Sequence, residues 1–382
     1  MNKIGITYGR QFIDKQDIRF VKNSLQQNLI TTGNYVKKFE DKIKKIFKVK
    51  YVVSCSSGTA ALHLAIKSIN LKKNDIIILP VINFVAVSNI LKECSNVKIY
   101  YADVDQLSGQ LTPKTLLDCI RKNKINKLKA FFTMYLGGSA KNIEEFYKIK
   151  KKYKCFMIED ACHALGARYK INQKYFKIGS CRHADISIFS LHPLKTITTG
   201  EGGVLTTNIK KIYTSSKLFS SHGIKRKKNH WDYDVIDFGL NYRLSDINCS
   251  LGFSQLLKLN KFLKKRKLIA KYYFKNISNL RNLKFSDDYS DLSAWHLFRV
   301  QIDFKKLKFS KQDFFKLFLK KGIRLQQHYI PLFKFTAYKS LKGRFSGAEK
   351  YFESSISLPI YYSLKNNDLF KITKTLKEIL KK

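Results

Sequence analysis

Short runs of β-forming residues alternate with amphipathic stretches from Tyr51 to Phe189, and this alternation constrains the fold more than any other feature. Tyr51-Val52-Val53, Ile76-Ile77-Ile78-Leu79, Val97 to Tyr101, Ala130 to Met134, Cys155 to Ile158 and Ile186 to Phe189 are the strand-like runs. They are short and mostly apolar, as buried strands are. Between them lie helical patterns, such as Leu62, Ala65, Ile66 and Ile69, and the stretch from Glu144 to Tyr153. Buried strands separated by helices predict βαβ units in a mostly parallel sheet, with right-handed connections and helices on both faces. After about Leu257 the texture changes. A long Lys-rich helical stretch, Leu259 to Ile277, leads into shorter mixed elements at Phe298 to Ile302, Lys311 to Lys320 and Ser357 to Ile360. The expectation is an α/β protein with two parts. Residues 1–257 form an N-terminal segment and a large domain, and residues 258–382 form a smaller α/β domain.

Composition narrows the function classes. With 44% hydrophobic residues the chain buries a real core and is not a disordered protein. No apolar run is long enough for a membrane span, and Met1 to Arg10 lacks a signal-type apolar run, so a cytoplasmic protein with no membrane partner is expected. The seven cysteines are odd in number and form no CxxC pair, which predicts reduced thiols and no metal site. A formal charge of +45 raises the question of nucleic acid. The lysines are spread along almost the whole chain rather than gathered in one stripe, so the charge reads as a solvated surface and no nucleic-acid partner is expected. That surface also attracts an anionic small substrate.

Four segments carry candidate chemistry, and each falls where a strand-like run ends, where open α/β sheets bind ligands. Ser54-Cys55-Ser56-Ser57-Gly58-Thr59-Ala60-Ala61-Leu62 links a strand to a helix through small, hydroxylated residues. Such a turn serves equally as an ordinary Ser cap or as a seat for a phosphate monoester on the free amides of the helix start. In Ile158-Glu159-Asp160-Ala161-Cys162-His163, Asp160 is suited to a protonated ring nitrogen, or to an exposed turn. Asp185 to Gly203 is the most specific segment. A strand leads into His192-Pro193-Leu194-Lys195, then a Gly-rich stretch, and Lys195 is the only Lys or Arg between Asp185 and Glu201. Desolvation there lowers a lysine pKa and supplies the free amine that condenses with a carbonyl. Phe238 to Asp246 reads by itself only as a structured loop before a helix.

Together these segments resemble the DegT/DnrJ/EryC1/StrS family of sugar aminotransferases, from Tyr8-Gly9-Arg10-Gln11 to Ser357-Leu358-Pro359. His192 to Gly203, Tyr242 to Asn248 and Gln327-His328-Tyr329-Ile330-Pro331 are most similar to the branch that aminates a UDP-linked 4-keto sugar in pseudaminic acid synthesis. The resemblance implies the type I fold of pyridoxal-phosphate-dependent aminotransferases. It implies that Lys195 forms the Schiff base with pyridoxal 5'-phosphate and that Asp160 pairs with the pyridine nitrogen. His163 would lie beside the ring oxygen, and Phe84 would stack on the ring. Ser57, Gly58, Thr59 and Ser190 would hold the phosphate, together with Asn241 supplied by a second subunit. A homodimer with shared active sites follows. Tyr8, Asn28, Leu29, Ile30, Thr31, His192, Gln326, Gln327, His328 and Tyr329 match segments that hold the sugar nucleotide. The expected substrates are L-glutamate and a UDP-keto-sugar. Asn83 stands where the family often has Thr before the stacking aromatic. A non-catalytic regulator of the same fold, or an aminotransferase for another keto-sugar nucleotide, are the competing readings.

Overall fold

The computed structural model describes residues 5–94, 96–229 and 231–380. Helices α1 (Lys15–Leu25) and α2 (Asn34–Phe47) precede the first strand. Then come β1 (Tyr51–Cys55), α3 (Gly58–Ser68), β2 (Ile76–Pro80), α4 (Ala86–Cys94), β3 (Lys98–Ala102), α5 (Pro113–Lys122), β4 (Ala130–Met134), α6 (Ile143–Tyr153) and β5 (Phe156–Asp160). A hairpin, β6 (Arg168–Ile171) and β7 (Lys174–Lys177), precedes β8 (Ile186–Ser190), β9 (Gly203–Thr207) and α7 (Lys210–Phe219). A second hairpin, β10 (Ile224–Arg226) and β11 (Tyr233–Val235), is followed by α8 (Asp246–Leu257) and the long α9 (Leu259–Ile277). The remaining elements are β12 (Leu283–Phe285), β13 (Phe298–Ile302), α10 (Lys311–Lys320), α11 (Ser346–Ser354), β14 (Ser355–Leu358) and α12 (Asn366–Leu380).

Seven strands form the main sheet in the order β1-β9-β8-β5-β4-β2-β3. β8, β5, β4, β2 and β3 pair in parallel, as the alternating pattern predicts. β9 runs against both neighbours, β1 and β8, so six strands share one direction and one is reversed. β9 has no preceding crossover helix. The chain leaves β8, makes the Leu191–Gly202 loop and returns directly alongside, which only an antiparallel partner permits. That loop carries Lys195. A three-stranded antiparallel sheet, β12-β13-β14, forms the second layer system with α9, α10 and α12.

The cores explain why the site is rigid. Phe47 stacks on Phe189 of β8 with ring centroids 5.1 Å apart, anchoring α2 under the strand that leads to Lys195. Val53, Ala61, Leu64, Ala65, Ile77, Leu79, Ile158, Ile186, Ile188 and Leu205 form one core between α3 and the sheet. A further core gathers Ile269, Tyr273, Phe298, Val300, Phe314, Phe318, Ile356, Ile372 and Leu376, and Ile6 near the N-terminus joins it. Ile6 forms a parallel bridge with Ile323, so the chain start is tied to the C-terminal part. Helix α9 serves both sides. Leu259 and Phe262 pack into the core around α2 and α8, whereas Ile269, Ala270, Tyr273 and Ile277 pack into the C-terminal one.

Candidate active site

The strand ends converge on a cleft of about 630 Å³. Helix α3 opens one wall. Ser57 caps it, its Oγ accepting from Ala60 N–H at 3.0 Å, and the amides of Gly58 and Thr59 keep no partner among the described residues. These two free N–H groups and the helix dipole present a positive end to the cleft. Gly58 lies so close to β8 that a Cβ there would stand 2.8 Å from the Cβ of Ser190. Only glycine permits that approach, which brings the Ser190 hydroxyl beside the helix start.

Asp160 ends β5 and is buried. Its Oδ1 accepts the backbone N–H of Cys162 at 3.1 Å. Burial raises its carboxyl pKa, an effect opposed by the Cys162 thiol and amide and by the charge of Lys195. A buried carboxylate with so little compensation is suited to a cationic ligand atom. Lys195 lies in the loop after β8. The loop is pinned by Leu191 N–H to Gly202 O at 2.8 Å, Thr199 N–H to Leu191 O at 3.0 Å and Asn248 Nδ2 to Thr199 O at 2.6 Å. Desolvation lowers the pKa of Lys195, against the opposing pull of Cys162 and Asp160, and this favours the neutral amine.

On the other wall stand aromatic and imidazole rings. Phe84 is half exposed at the mouth, 5.9 Å from the ring of Tyr329. Asn83 also lines the cleft; its amide donates to Pro80 O at 2.5 Å, and its Oδ1 is buried without a partner among the described residues. His163 Nε2 and the Tyr329 hydroxyl are 3.1 Å apart. His296 packs on His163 with centroids 4.3 Å apart, and its Nδ1 is buried without a partner among the described residues. His328 bonds Ser357 Oγ at 2.9 Å and lies 5.3 Å from the ring of Tyr8. Burial holds all three imidazoles neutral, with His328 pushed down to about 3 and His163 and His296 also well below the usual range.

Of the residues expected from sequence, Lys195, Asp160, Ser57, Gly58, Thr59, Phe84, His163, Ser190, Tyr8, His192, Gln326, Gln327, His328 and Tyr329 all line this cleft. Gln327 is turned aside, its amide donating to Phe352 O at 2.5 Å. Asn28, Leu29, Ile30, Thr31 and Asn241 do not line it. All five are exposed, and they sit together: Thr31 pairs with Ser245, and Asp246 N–H donates to Ile30 O at 2.9 Å. Cys162, Glu201 and His296 also line the cleft and were assigned no role from sequence. His296 precedes β13, 133 positions after His163 in the chain, and no local spacing connects them.

The pattern of the DegT/DnrJ/EryC1/StrS aminotransferase family matches residues 11–377. The chain belongs to this family. It is 36% identical over 383 residues to the UDP-4-amino-4,6-dideoxy-N-acetyl-beta-L-altrosamine transaminase of Campylobacter jejuni subsp. jejuni serotype O:23/36, covering 99% of this chain and 98% of that one. It is 30% identical to the GDP-perosamine synthase of Escherichia coli O157:H7, over 94% of each. Helicobacter pylori PseC, an aminotransferase involved in the biosynthesis of pseudoaminic acid, superposes with a TM-score of 0.90 at 28% identity, over 99% of both chains. The type I aminotransferase fold and a sugar aminotransferase activity follow, and family membership brings pyridoxal phosphate as the cofactor.

The residues present fit that group. The amides of Gly58 and Thr59, unpartnered among the described residues, suit its phosphate beside Ser190, buried Asp160 suits its ring nitrogen, and the desolvated amine of Lys195 suits its aldehyde.

Proposed function

We propose that this enzyme transfers the amino group of L-glutamate to the C4 ketone of UDP-2-acetamido-2,6-dideoxy-β-L-arabino-hexos-4-ulose. The products are UDP-4-amino-4,6-dideoxy-N-acetyl-β-L-altrosamine and 2-oxoglutarate. The observation that carries this reading is the likeness to the Campylobacter transaminases at 34–36% identity over 99% of the chain, combined with Lys195 and Asp160 facing one cleft.

When bound, pyridoxal phosphate supplies an electron sink conjugated to the reacting carbon. The chain's residues supply the rest. Gly58, Thr59 and Ser190 would hold the phosphate, and Phe84 would cover the ring. Asp160, ionised against a protonated ring nitrogen, would keep that sink effective. Lys195 would anchor the cofactor and, once released, its neutral Nζ would take the proton from the donor's α-carbon. In the second half-reaction the same amine would deliver a proton to C4 of the sugar. Tyr8, His192 and Gln326, which line the same cleft, would contact the sugar nucleotide.

Among the described residues Lys195 is the only lysine or arginine lining the cleft, so the diphosphate of a nucleotide sugar needs positive charge from elsewhere. A second copy of the chain is the proposed source. The hairpin β10–β11 and the loop after it expose Trp231, Tyr233, Val235, Ile236, Phe238 and Leu240 beside Lys225, Arg226 and Lys228. A cluster of exposed large apolar side chains supports the reading of this face as an interface. Asn241 and the Asn28–Thr31 stretch flank it and would complete the partner's cleft, giving a homodimer with shared active sites. The division into residues 1–257 and 258–382 is proposed at the α8–α9 junction, with α9 packing into both parts. Among the described residues no helix is long and apolar enough to cross a membrane. A cytoplasmic enzyme agrees with six described cysteines that are all unpaired.

Turnover with a panel of keto-sugar nucleotides tests the proposal. Amination of the β-L-arabino 4-ketone with glutamate, well above that of GDP- or dTDP-linked 4-keto sugars, is expected. Preference for one of those sugars would move the enzyme to another branch of the family.

A further inference from the structure

Arg266 lies within α9 and is buried, with 3% of its surface exposed. Its Nη1 donates to three backbone carbonyls, those of Ile360 at 2.9 Å, His296 at 3.1 Å and Trp295 at 3.3 Å. These bonds tie α9 to the segment entering β13 and to the chain after β14. They use one corner of the guanidinium. Nε is buried without a partner among the described residues, and Nη2 makes no hydrogen bond to them either. The N–H of Nε and one N–H of Nη2 point the same way, as the two prongs of the fork with which arginine grips an anion.

The charge of Arg266 is uncompensated as well. Burial pushes its guanidinium down to about 10, and no acidic side chain among the described residues offsets this. Asp17, bonded to Gln255 at 2.8 Å, is already paired with Lys258 at 2.6 Å. An unpaired buried cation is strongly destabilising.

Arg266 lines a cavity of about 10 Å³, room for one small ligand. Arg10 and Lys195 line it too, and among the described residues no Asp or Glu does. Thr196, Ile197 and Thr198 form the wall contributed by the Lys195 loop. Their backbone N–H groups make no hydrogen bond to the described residues. Lys195 thus borders this cavity as well as the cleft.

We propose that this cavity is a binding site for one small inorganic anion, of which chloride is the expected occupant, held on the Nε and Nη2 edge of Arg266. The anion neutralises the buried guanidinium and joins α9 to the loop that carries Lys195. A water molecule would accept the same hydrogen bonds but would leave the cation unpaired. Anions with several heavy atoms exceed the space. The site is independent of the cofactor and sugar readings.

Crystals of the whole protein grown with sodium bromide in place of chloride test the proposal, because bromide scatters anomalously and water does not. An anomalous peak within hydrogen-bonding distance of both Arg266 Nε and Nη2 is expected. Peaks confined to surface lysines, with none at Arg266, overturn it. In solution, replacing gluconate by chloride at constant ionic strength should raise the unfolding temperature by about 2–4 °C, since an anion that binds only the folded chain stabilises it. Arg266→Met, which removes the fork and its charge, should abolish that rise. Equal unfolding temperatures of the parent in the two salts, or a rise that survives in Arg266→Met, also overturn the proposal. If Arg266→Met does not fold, the bromide map of the parent and its unfolding in the two salts decide.

Discussion

Asp246 closes the start of helix α2 from more than 200 positions away in the chain. Its Oδ2 accepts the backbone N–H of Gly33 at 2.6 Å, and its Oδ1 accepts that of Tyr35 at 2.7 Å. Gly33, the residue preceding α2, has no side chain to cap the helix, and Asp246 supplies the missing acceptor. The same contact locks the exposed Asn28–Thr31 stretch to the loop carrying Asn241. Asp246→Ala removes the acceptor of three amides, those of Gly33, Tyr35 and Val36, and is expected to lower the unfolding free energy by about 2–4 kcal/mol in urea titrations. Asp246→Asn should recover part of that loss. Unfolding of the alanine variant at the parent's urea midpoint would show that the contact contributes nothing.

His163, His296 and His328 set a pH dependence of stability. Each has a folded-state pKa depressed below the usual 6.5 by burial. A depressed histidine contributes stability that is fully present above about pH 6.5 and is lost as the pH falls, because the unfolded chain then binds more protons. For His328 the loss continues down to about pH 3. Glu159 and Asp160, whose pKa values burial raises, run in the opposite sense, so the informative quantity is a difference between variants. In cofactor-free protein, His296→Asn should reduce the acid slope of unfolding free energy by about 1.4 kcal/mol per pH unit. Equal slopes in variant and parent would mean that His296 is charged in the folded state.

Phe238, 89% exposed, belongs to the proposed dimer face. Phe238→Asp places a charge where a second copy would bury an aromatic ring. Sedimentation velocity is expected to show dimerisation weakened by about 100-fold or more. If dimers persist undiminished, the interface lies elsewhere and Asn241 does not reach a partner's cleft by this route.

Much of this fold was legible in the sequence because buried parallel strands declare themselves as apolar runs. Ala130–Met134 falls where its run predicts, and the helices Leu259–Ile277 and Lys311–Lys320 match their amphipathic spans. β9 was not read, since Gly203-Val204-Leu205-Thr206-Thr207 continues a Gly-rich loop and its pairing partners are distant in sequence. The same limit applies to the site. Lys195, Asp160 and the Ser57-Gly58-Thr59 turn are marked by local composition. His296 enters from the C-terminal part, where only tertiary packing brings it onto His163. Asn241 and Asn28–Thr31 stand outside the cleft of their own chain, so no feature of one chain's fold assigns them a ligand.

The central claim is that one lysine among 73 basic residues holds the cofactor. Borohydride reduction of the protein loaded with pyridoxal phosphate, followed by peptide mass mapping, tests it most directly. The account predicts a single pyridoxyl-modified peptide, bearing the group on Lys195, and its absence from Lys195→Arg. Modification of a different lysine at equal yield, or full labelling in Lys195→Arg, would contradict it.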